Sequence, residues 1–155
     1  PALLEPRVAQ LPLVRTQPLH DGGHPGHVVG VGEVCPQGAA ARVRLPGVDA
    51  IVDCWGGNVV ATPQDLTEKR PVAPIDLTAN LACPLLGLFG NDDSSPSPAQ
   101  VDLHEQALLA AGKAYTFHRY DGAGHGFFYY HRPNYRVQQA VDGWDKIWAF
   151  LGKHL

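Results

Sequence analysis

The sequence predicts an α/β fold in which a mostly parallel sheet is flanked by helices. Strand-like and helix-like patterns alternate over the second half of the chain, which favours parallel strands joined by crossover helices. The run CPLLGLF is apolar without interruption, as is typical of a strand covered on both faces. In a sheet of this kind, the chemistry is expected at the carboxyl ends of the strands.

Length and composition indicate one domain that folds in water. The chain has 155 residues, 45% of them hydrophobic and 17% charged, which allows one sizeable core. A net charge of -3 provides no basic surface for nucleic acid or an anionic membrane, so small molecules are the expected partners. The three cysteines, Cys35, Cys54 and Cys83, are odd in number and lack CxxC spacing, which favours a reducing cytoplasm over a disulfide framework.

Residues 1–43 differ in composition from the rest of the chain. They are dense in Pro, Gly, Ala, Arg and His, with a weak strand over His27–Val34 and a short helix over Ala39–Val43. We therefore expect two regions, a divergent Pro/Gly-rich segment over 1–43 and a well-patterned region over 44–155. The chain contains no methionine, even at position 1, which predicts processing, trimming or a longer reading frame.

A buried strand is predicted over Val48–Val52, running into the small-residue turn Trp55-Gly56-Gly57. Prolines at 63, 71 and 74 break any long helix that follows, so we expect an irregular segment with at most a helical turn over Pro63–Lys69. The next predicted strand is Cys83–Phe89, which is the apolar run CPLLGLF.

A helix follows with clear boundary signals. Ser97 can cap it, Pro98 suits its first turn, Gln100 completes a capping box and Gly112 ends it. Its predicted apolar stripe includes Val101, Leu108 and Leu109.

The last two elements are a strand and an amphipathic helix. Tyr115–Tyr120 (YTFHRY) alternates as a strand, and Asn134–His154 has the spacing of a helix with one apolar face. The residues expected to face inward are Val137, Val141, Trp144, Ile147, Trp148 and Leu151.

Two loops at predicted strand ends hold the residues that could carry chemistry. Gly90-Asn91-Asp92-Asp93 follows one strand, and Asp121-Gly122-Ala123-Gly124-His125-Gly126 follows the next. Small residues beside His125 let the backbone turn sharply and leave the imidazole free to project. An acidic side chain on the neighbouring strand end could accept its Nδ1–H. This arrangement is typical of the base and orienting acid of a catalytic triad.

These motifs resemble those of dienelactone hydrolases (carboxymethylenebutenolidases). The resemblance rests on GLFGNDDSSPSP and RYDGAGHGFFYYHRPNYR, together with VDAIVDCWGG, PVAPIDLTANLACPLLGLFG and DGWDKIWAFLGKHL, and it covers roughly residues 44–155. It implies an α/β-hydrolase-like sheet that lacks its N-terminal strands. A truncation or a shifted reading frame ahead of about Arg44 would explain that loss.

The resemblance implies a function and a site. The family pattern Gly-x-x-Asp puts the triad acid at Asp93, counted from Gly90, with the adjacent Asp92 as a weaker candidate. In the family, a cysteine thiolate in a G-x-C-x-G-G elbow attacks an ester or lactone carbonyl, and histidine transfers the proton. The implied activity is hydrolysis of a lactone or ester of a small anionic compound by a Cys-His-Asp triad, without metal or organic cofactor.

Two cysteines compete for the role of nucleophile. Cys54, in DCWGG, has the better local sequence, but no further strand separates it from the strand that precedes Asp93. Cys35 has the right chain order, although Glu33 and Gln37 replace two elbow glycines. Pro36 also lacks the backbone N–H that an oxyanion hole takes from the residue after the nucleophile. We predict Cys35, with Cys54 as the alternative.

Residues beside His125 are candidates for substrate binding. Phe127 and Tyr129 belong to an aromatic run that is either core packing or a pocket wall. Arg132 and Arg136 are available for an anionic substrate. No metal is expected, because Gly/Pro-rich loops rarely preorganise a site from histidines such as His20, His24 and His27.

The alternative function is a non-catalytic remnant of the same fold that acts as a binding or pairing module. The degraded elbow favours this alternative, and the two intact loops favour the enzyme. If upstream strands are missing, uncovered sheet should promote self-association. The N-terminus lacks the pattern of a secretory signal, so the chain is not expected to be exported.

Overall fold

In the part of the chain that the structure describes, the sheet has four parallel strands in sequential order. The computed structural model describes residues 48–68 and 71–155, and the backbone alone of residues 29–32. The strands pair in the order β1-β2-β3-β4, and each described pair is parallel. Their bounds are Val29–Gly32 for β1, Ala50–Cys54 for β2, Leu85–Gly90 for β3 and Tyr115–Tyr120 for β4. Among the described residues, two α-helices, Pro98–Ala110 (α1) and Val137–His154 (α2), accompany them.

The two helices cover opposite faces of the sheet. Side chains alternate between the faces along each strand, so Val52 and Leu86 pack in one cluster with Ile147 of α2. Ile51 and Leu85 point the other way and pack with Leu108 of α1. Every residue of β2 and β3 is buried, as the uninterrupted apolar run of β3 predicts.

Helix α1 begins as predicted, but one residue of its predicted apolar stripe faces the solvent. Its capping box is present, with the Gln100 amide donating to Ser97 Oγ and the Ser97 amide donating to Gln100 Oε1. Val101 and Leu108 are buried, but Leu109 is 70% exposed, so its inclusion in the apolar stripe was wrong. Leu109 follows Leu108 by one residue, which rotates it about 100° away from the sheet.

Helix α2 buries part of the face that was predicted, because Ile147 and Leu151 are buried as expected. Val137, Val141 and Trp148 were expected to face inward, and all three are more than half exposed. The buried face is formed by Ala140, Gly143, Ile147 and Leu151.

Small residues explain why Val137, Val141 and Trp148 do not face the sheet. A Cβ at Gly143 would lie 2.3 Å from Phe128 Cζ, so glycine lets the helix approach that ring closely. The prediction followed the large apolar side chains alone, but close packing also selected the small residues Ala140 and Gly143. Trp144 lies between the two faces and packs against Phe128 at a centroid distance of 5.5 Å.

In the connection from β2 to β3, the residues that the structure describes include two 3-10 helices, Pro63–Asp65 and Pro74–Asn80. The first matches the predicted helical turn over Pro63–Lys69, and the second was not predicted. Strand β2 begins and ends two residues later than predicted. The short helix predicted over Ala39–Val43 lies outside the described residues.

Candidate active site at the carboxyl ends of the strands

The loops that follow β3 and β4 are bound to each other through their backbones. The amide of Asp92 donates to the carbonyl oxygen of Ala123 over 2.9 Å, and the amide of Asn91 donates to that of Tyr120 over 2.9 Å. Gly90 permits this approach, because a Cβ there would lie 2.2 Å from the Ala123 carbonyl oxygen. The two loops are therefore held in a fixed relation.

Asp93 and His125 meet between these loops. The distance from Asp93 Oδ2 to His125 Nδ1 is 2.9 Å, inside the range expected for an acid that orients a histidine. The backbone amide of Ser95 donates to the other carboxylate oxygen over 2.8 Å. The Asp93 side chain is 2% exposed, so both partners compensate for its loss of water. Asp92, the weaker candidate, is exposed.

The contact between Asp93 and His125 indicates which ring nitrogen of the neutral imidazole carries the proton. A hydrogen bond from Nδ1 to a carboxylate requires the proton on Nδ1, which leaves Nε2 as a proton acceptor in the neutral ring. The His125 side chain is 46% exposed. Reactants can therefore reach the imidazole while its orienting acid stays buried, which is the arrangement that general base catalysis needs.

The histidine loop, which we define as residues 121–136, is held by side chains at its C-terminal end. Arg136 donates from Nε to the Gly122 carbonyl over 2.8 Å, and from Nη1 to the carbonyls of Pro133 and Tyr135 over 3.1 Å each. The side-chain amide of Asn134 donates to the His125 carbonyl. Arg136 was predicted to bind substrate. Its guanidinium is instead engaged by backbone carbonyls, so that role is not supported.

The aromatic run beside His125 divides between core and surface. Phe127, a candidate for substrate binding, is fully buried and packs on Trp55 at a centroid distance of 5.2 Å, which favours the core-packing alternative. Tyr129 is half-buried, and it packs on Trp55 at 5.7 Å. The guanidinium carbon of Arg132 lies 5.3 Å from the centroid of the Tyr129 ring. The assignment of Tyr129 and Arg132 to substrate binding stays a prediction.

Cys54 has the environment of a core thiol. It is the last residue of β2 and is 3% exposed. Burial raises the pKa of the Cys54 thiol, and the neighbouring Asp53 carboxylate raises it further. Because the thiolate is the nucleophilic form, these effects argue against Cys54 as the alternative nucleophile.

Cys35 lies outside the described residues, as do Pro36 and Gln37. For the choice between Cys35 and Cys54, the described backbone gives only the order of the strands. Strand β2 lies between β1, which precedes Cys35 in sequence, and β3, which precedes Asp93. Cys54 thus ends the intervening strand.

Three residues that position the site were not identified from the sequence. Ser95 donates its amide to Asp93, and a serine two residues after an aspartate is a recognisable turn signal. The Asn91 side chain donates to Asp121 Oδ1 over 2.6 Å, which joins the two loops again. Asn134 carries no local signal, because its acceptor is a backbone carbonyl.

Within residues 48–68 and 71–155, no group of three or more His, Cys, Asp or Glu side chains could hold a metal ion. The histidines at 20, 24 and 27 lie outside that range. No helix in the described part of the chain has the length and apolarity needed to cross a membrane.

Comparison with known proteins identifies a family and several relatives. The model of the family described as "Dienelactone hydrolase family" matches residues 26–155, a range that includes Cys35. A protein from Methylorubrum extorquens named "Putative carboxymethylenebutenolidase" is 40% identical over 102 residues, which are 66% of this chain and 34% of that protein. A protein of the same name from Salmonella typhimurium is 30% identical over 76% of this chain and 48% of its own length.

Two solved structures resemble this chain in fold, and one of them also resembles it in sequence. The "Putative Dienelactone Hydrolase" of Klebsiella pneumoniae superimposes with a TM-score of 0.66 at 30% identity, over 72% of this chain and 45% of that chain. A puromycin-hydrolyzing peptidase of Mycobacterium tuberculosis shares the fold, with a TM-score of 0.64 at 18% identity, over 83% of this chain and 22% of its own. The chain spans between about a third and a half of the curated relatives that it matches.

Proposed function

Because the chain belongs to the dienelactone hydrolase family, we propose that it hydrolyses an ester or lactone of a small anionic compound with Cys35, His125 and Asp93. The observation that carries this proposal is the contact of 2.9 Å between Asp93 and His125. A buried carboxylate that orients a half-exposed imidazole favours proton transfer at Nε2.

The proposed reaction has two stages. In the first, His125 Nε2 takes the thiol proton of Cys35, the sulfur forms a bond to the substrate carbonyl carbon, and the leaving oxygen departs with the proton from Nε2. In the second, His125 takes a proton from water, and the resulting hydroxide attacks the thioester. The carbon–sulfur bond then breaks, and the departing sulfur takes the proton back from His125 Nε2, which restores the thiol of Cys35 and the neutral imidazole. The released acid ionises to the carboxylate product.

Substrate class is proposed from the residues beside His125. Tyr129 offers a half-buried ring surface and Arg132 an exposed cation that packs on that ring. A planar lactone that carries a carboxylate would complement both groups, through ring contact and charge. The names of the relatives, which include carboxymethylenebutenolidases, point to the same class.

The remaining proposals concern location and assembly. Free cysteines at 54 and 83 in the described part of the chain support a reducing, cytoplasmic environment. Self-association, expected from the sequence, stays a prediction, and the exposed stripe of Val137, Val141 and Trp148 on α2 is a surface that could contribute to it.

Turnover of a lactone tests the proposed function. We expect the purified chain to hydrolyse dienelactone, or p-nitrophenyl acetate as a simpler ester, above the rate in buffer. Replacement His125→Ala should return the rate to that of buffer, because it removes the proposed general base. His131→Ala is the matched control, since His131 is an exposed histidine in the same loop. Turnover that survives His125→Ala would count against the proposal.

A further inference from the structure

The histidine loop has little regular secondary structure, and one side chain makes many of its connections. Arg136 is the last residue before α2. Its guanidinium donates to the carbonyls of Gly122, Pro133 and Tyr135, and its own amide donates to the Phe127 carbonyl over 3.0 Å. One residue therefore contacts four points of the loop.

These contacts surround His125 in the chain. Gly122 lies three residues before the histidine and Phe127 lies two residues after it, and Arg136 binds both. The Asn134 side chain donates directly to the His125 carbonyl between them. The backbone that carries the imidazole is thus held on each side by residues at the start of α2.

The residues at the start of α2 are themselves held in place by the helix and its packing. The Arg136 carbonyl accepts the first helical hydrogen bond, from the Ala140 amide over 2.8 Å. Farther along, Ile147 is fully buried and Leu151 is 8% exposed, which packs the helix onto the sheet. On its other side, the loop is bound to the β3 loop through Ala123. His125 lies between two elements that pack in the same core.

Charge alone does not account for this geometry. A planar guanidinium can donate in several directions at once, but a lysine ammonium acts as a compact point charge. Arg136 uses Nε and Nη1 for acceptors on opposite sides of the loop. Truncation of its side chain would remove the contacts that join Gly122 to Pro133 and Tyr135.

We propose that Arg136 is a positioning residue, which keeps the imidazole of His125 aligned with Asp93 by bridging the two halves of the histidine loop. This inference rests on the proposed function for its catalytic meaning. The alignment itself is a property of the folded chain and can be measured without turnover.

Ring-nitrogen NMR of labelled histidine tests the alignment. Long-range proton–nitrogen correlations report which imidazole nitrogen carries the proton, and the aligned ring should be protonated at Nδ1 when neutral. In Arg136→Ala we expect His125 to shift toward a mixture with the Nε2-protonated form. The methyl signals of Ile147 and Leu151 should stay in place and so report an intact core. An unchanged His125 signal in Arg136→Ala would overturn the proposal.

Two further variants separate bridging from other roles. Arg136→Lys keeps the charge but loses the fork, so its His125 signal should be intermediate, and a fully normal signal would contradict the bridging role. This variant also decides the question if Arg136→Ala does not fold. Arg132→Ala is the matched control for the NMR measurement, because the Arg132 guanidinium packs on Tyr129 instead of joining the loop. It should leave the protonation pattern of His125 unchanged.

Kinetics distinguish positioning from substrate binding. Misplacement of a catalytic group by about 1 Å can cost on the order of 100-fold in rate. We expect Arg136→Ala to lower kcat about 10- to 100-fold with little change in KM. A raised KM with unchanged kcat would return Arg136 to a binding role. If the chain has no turnover, the proposed function fails, and the NMR result still decides whether Arg136 aligns His125.

Discussion

Replacement Asp93→Asn is expected to lower the hydrolytic rate about 10⁴-fold, the size of the loss when the acid of a Ser-His-Asp triad becomes an amide. An asparagine can present its NH₂ group to Nδ1, which favours the wrong ring tautomer and removes the charge that stabilises a protonated imidazole. The measurement is kcat for dienelactone or a p-nitrophenyl ester.

The adjacent carboxylate provides the matched control for Asp93. Asp92 is exposed, and its backbone amide, which a side-chain substitution leaves in place, makes the contact to Ala123. We expect Asp92→Asn to retain a rate within about threefold of the parent chain, as is usual for a surface substitution. Equal losses in the two variants would contradict the assignment of Asp93 as the orienting acid.

Repair of the elbow around Cys35 is expected to raise the rate about 100- to 1000-fold, the amount that one oxyanion-hole donor typically contributes. The double variant Pro36→Ala, Gln37→Gly supplies a backbone N–H at position 36 and a small residue in the tight turn. The measurement is kcat/KM for the same ester, compared between the double variant and the parent chain.

The gain from this repair should depend on the proposed nucleophile. In a Cys35→Ala background, the double variant should show no increase, because no thiolate is present to generate the oxyanion. An equal increase in that background would mean that the repair acts by another route, such as general stabilisation of the fold. That result would contradict the assignment of Cys35.

Elements with local signals were predicted well from the sequence. Strand β4 has the predicted bounds, because its alternation continues to Tyr120 and the glycine of the following turn ends it. The capping box of α1 was also predicted, since Ser97 and Gln100 contact each other within one turn. Such features depend on a few neighbouring residues, and no distant packing competes with them.

The inward face of α2 depended on distant contacts. Trp148 and Val141 suggested a face by their size, but the approach of Gly143 to Phe128 decided it. A hydrophobic pattern gives the period of a helix, and the shape of the surface opposite decides which face is buried when several faces carry apolar residues.

In the candidate site too, some contacts could be predicted from the sequence and others could not. A contact between an acidic residue after β3 and His125 could be predicted, because both follow neighbouring parallel strands whose ends share an edge. The choice of Asp93 over Asp92 came from the resemblance to dienelactone hydrolases. The role of Arg136 could not, because its acceptors are backbone carbonyls, which every residue possesses. The burial of Phe127 was likewise a matter of packing, since an aromatic residue beside a catalytic histidine suits a core as well as a pocket.

The central claim is that Cys35 is the nucleophile and that it acts together with His125 and Asp93. Mapping of a covalent adduct tests this claim most directly. The chain is treated with a thiol-reactive ester analogue, and the modified residue is identified by mass spectrometry in the parent and in His125→Ala. We predict modification at Cys35 that is lost in His125→Ala, with Cys54 unmodified because it is buried and its pKa is raised. Modification of Cys54 that depends on His125, or the absence of any His125-dependent adduct, would contradict the account.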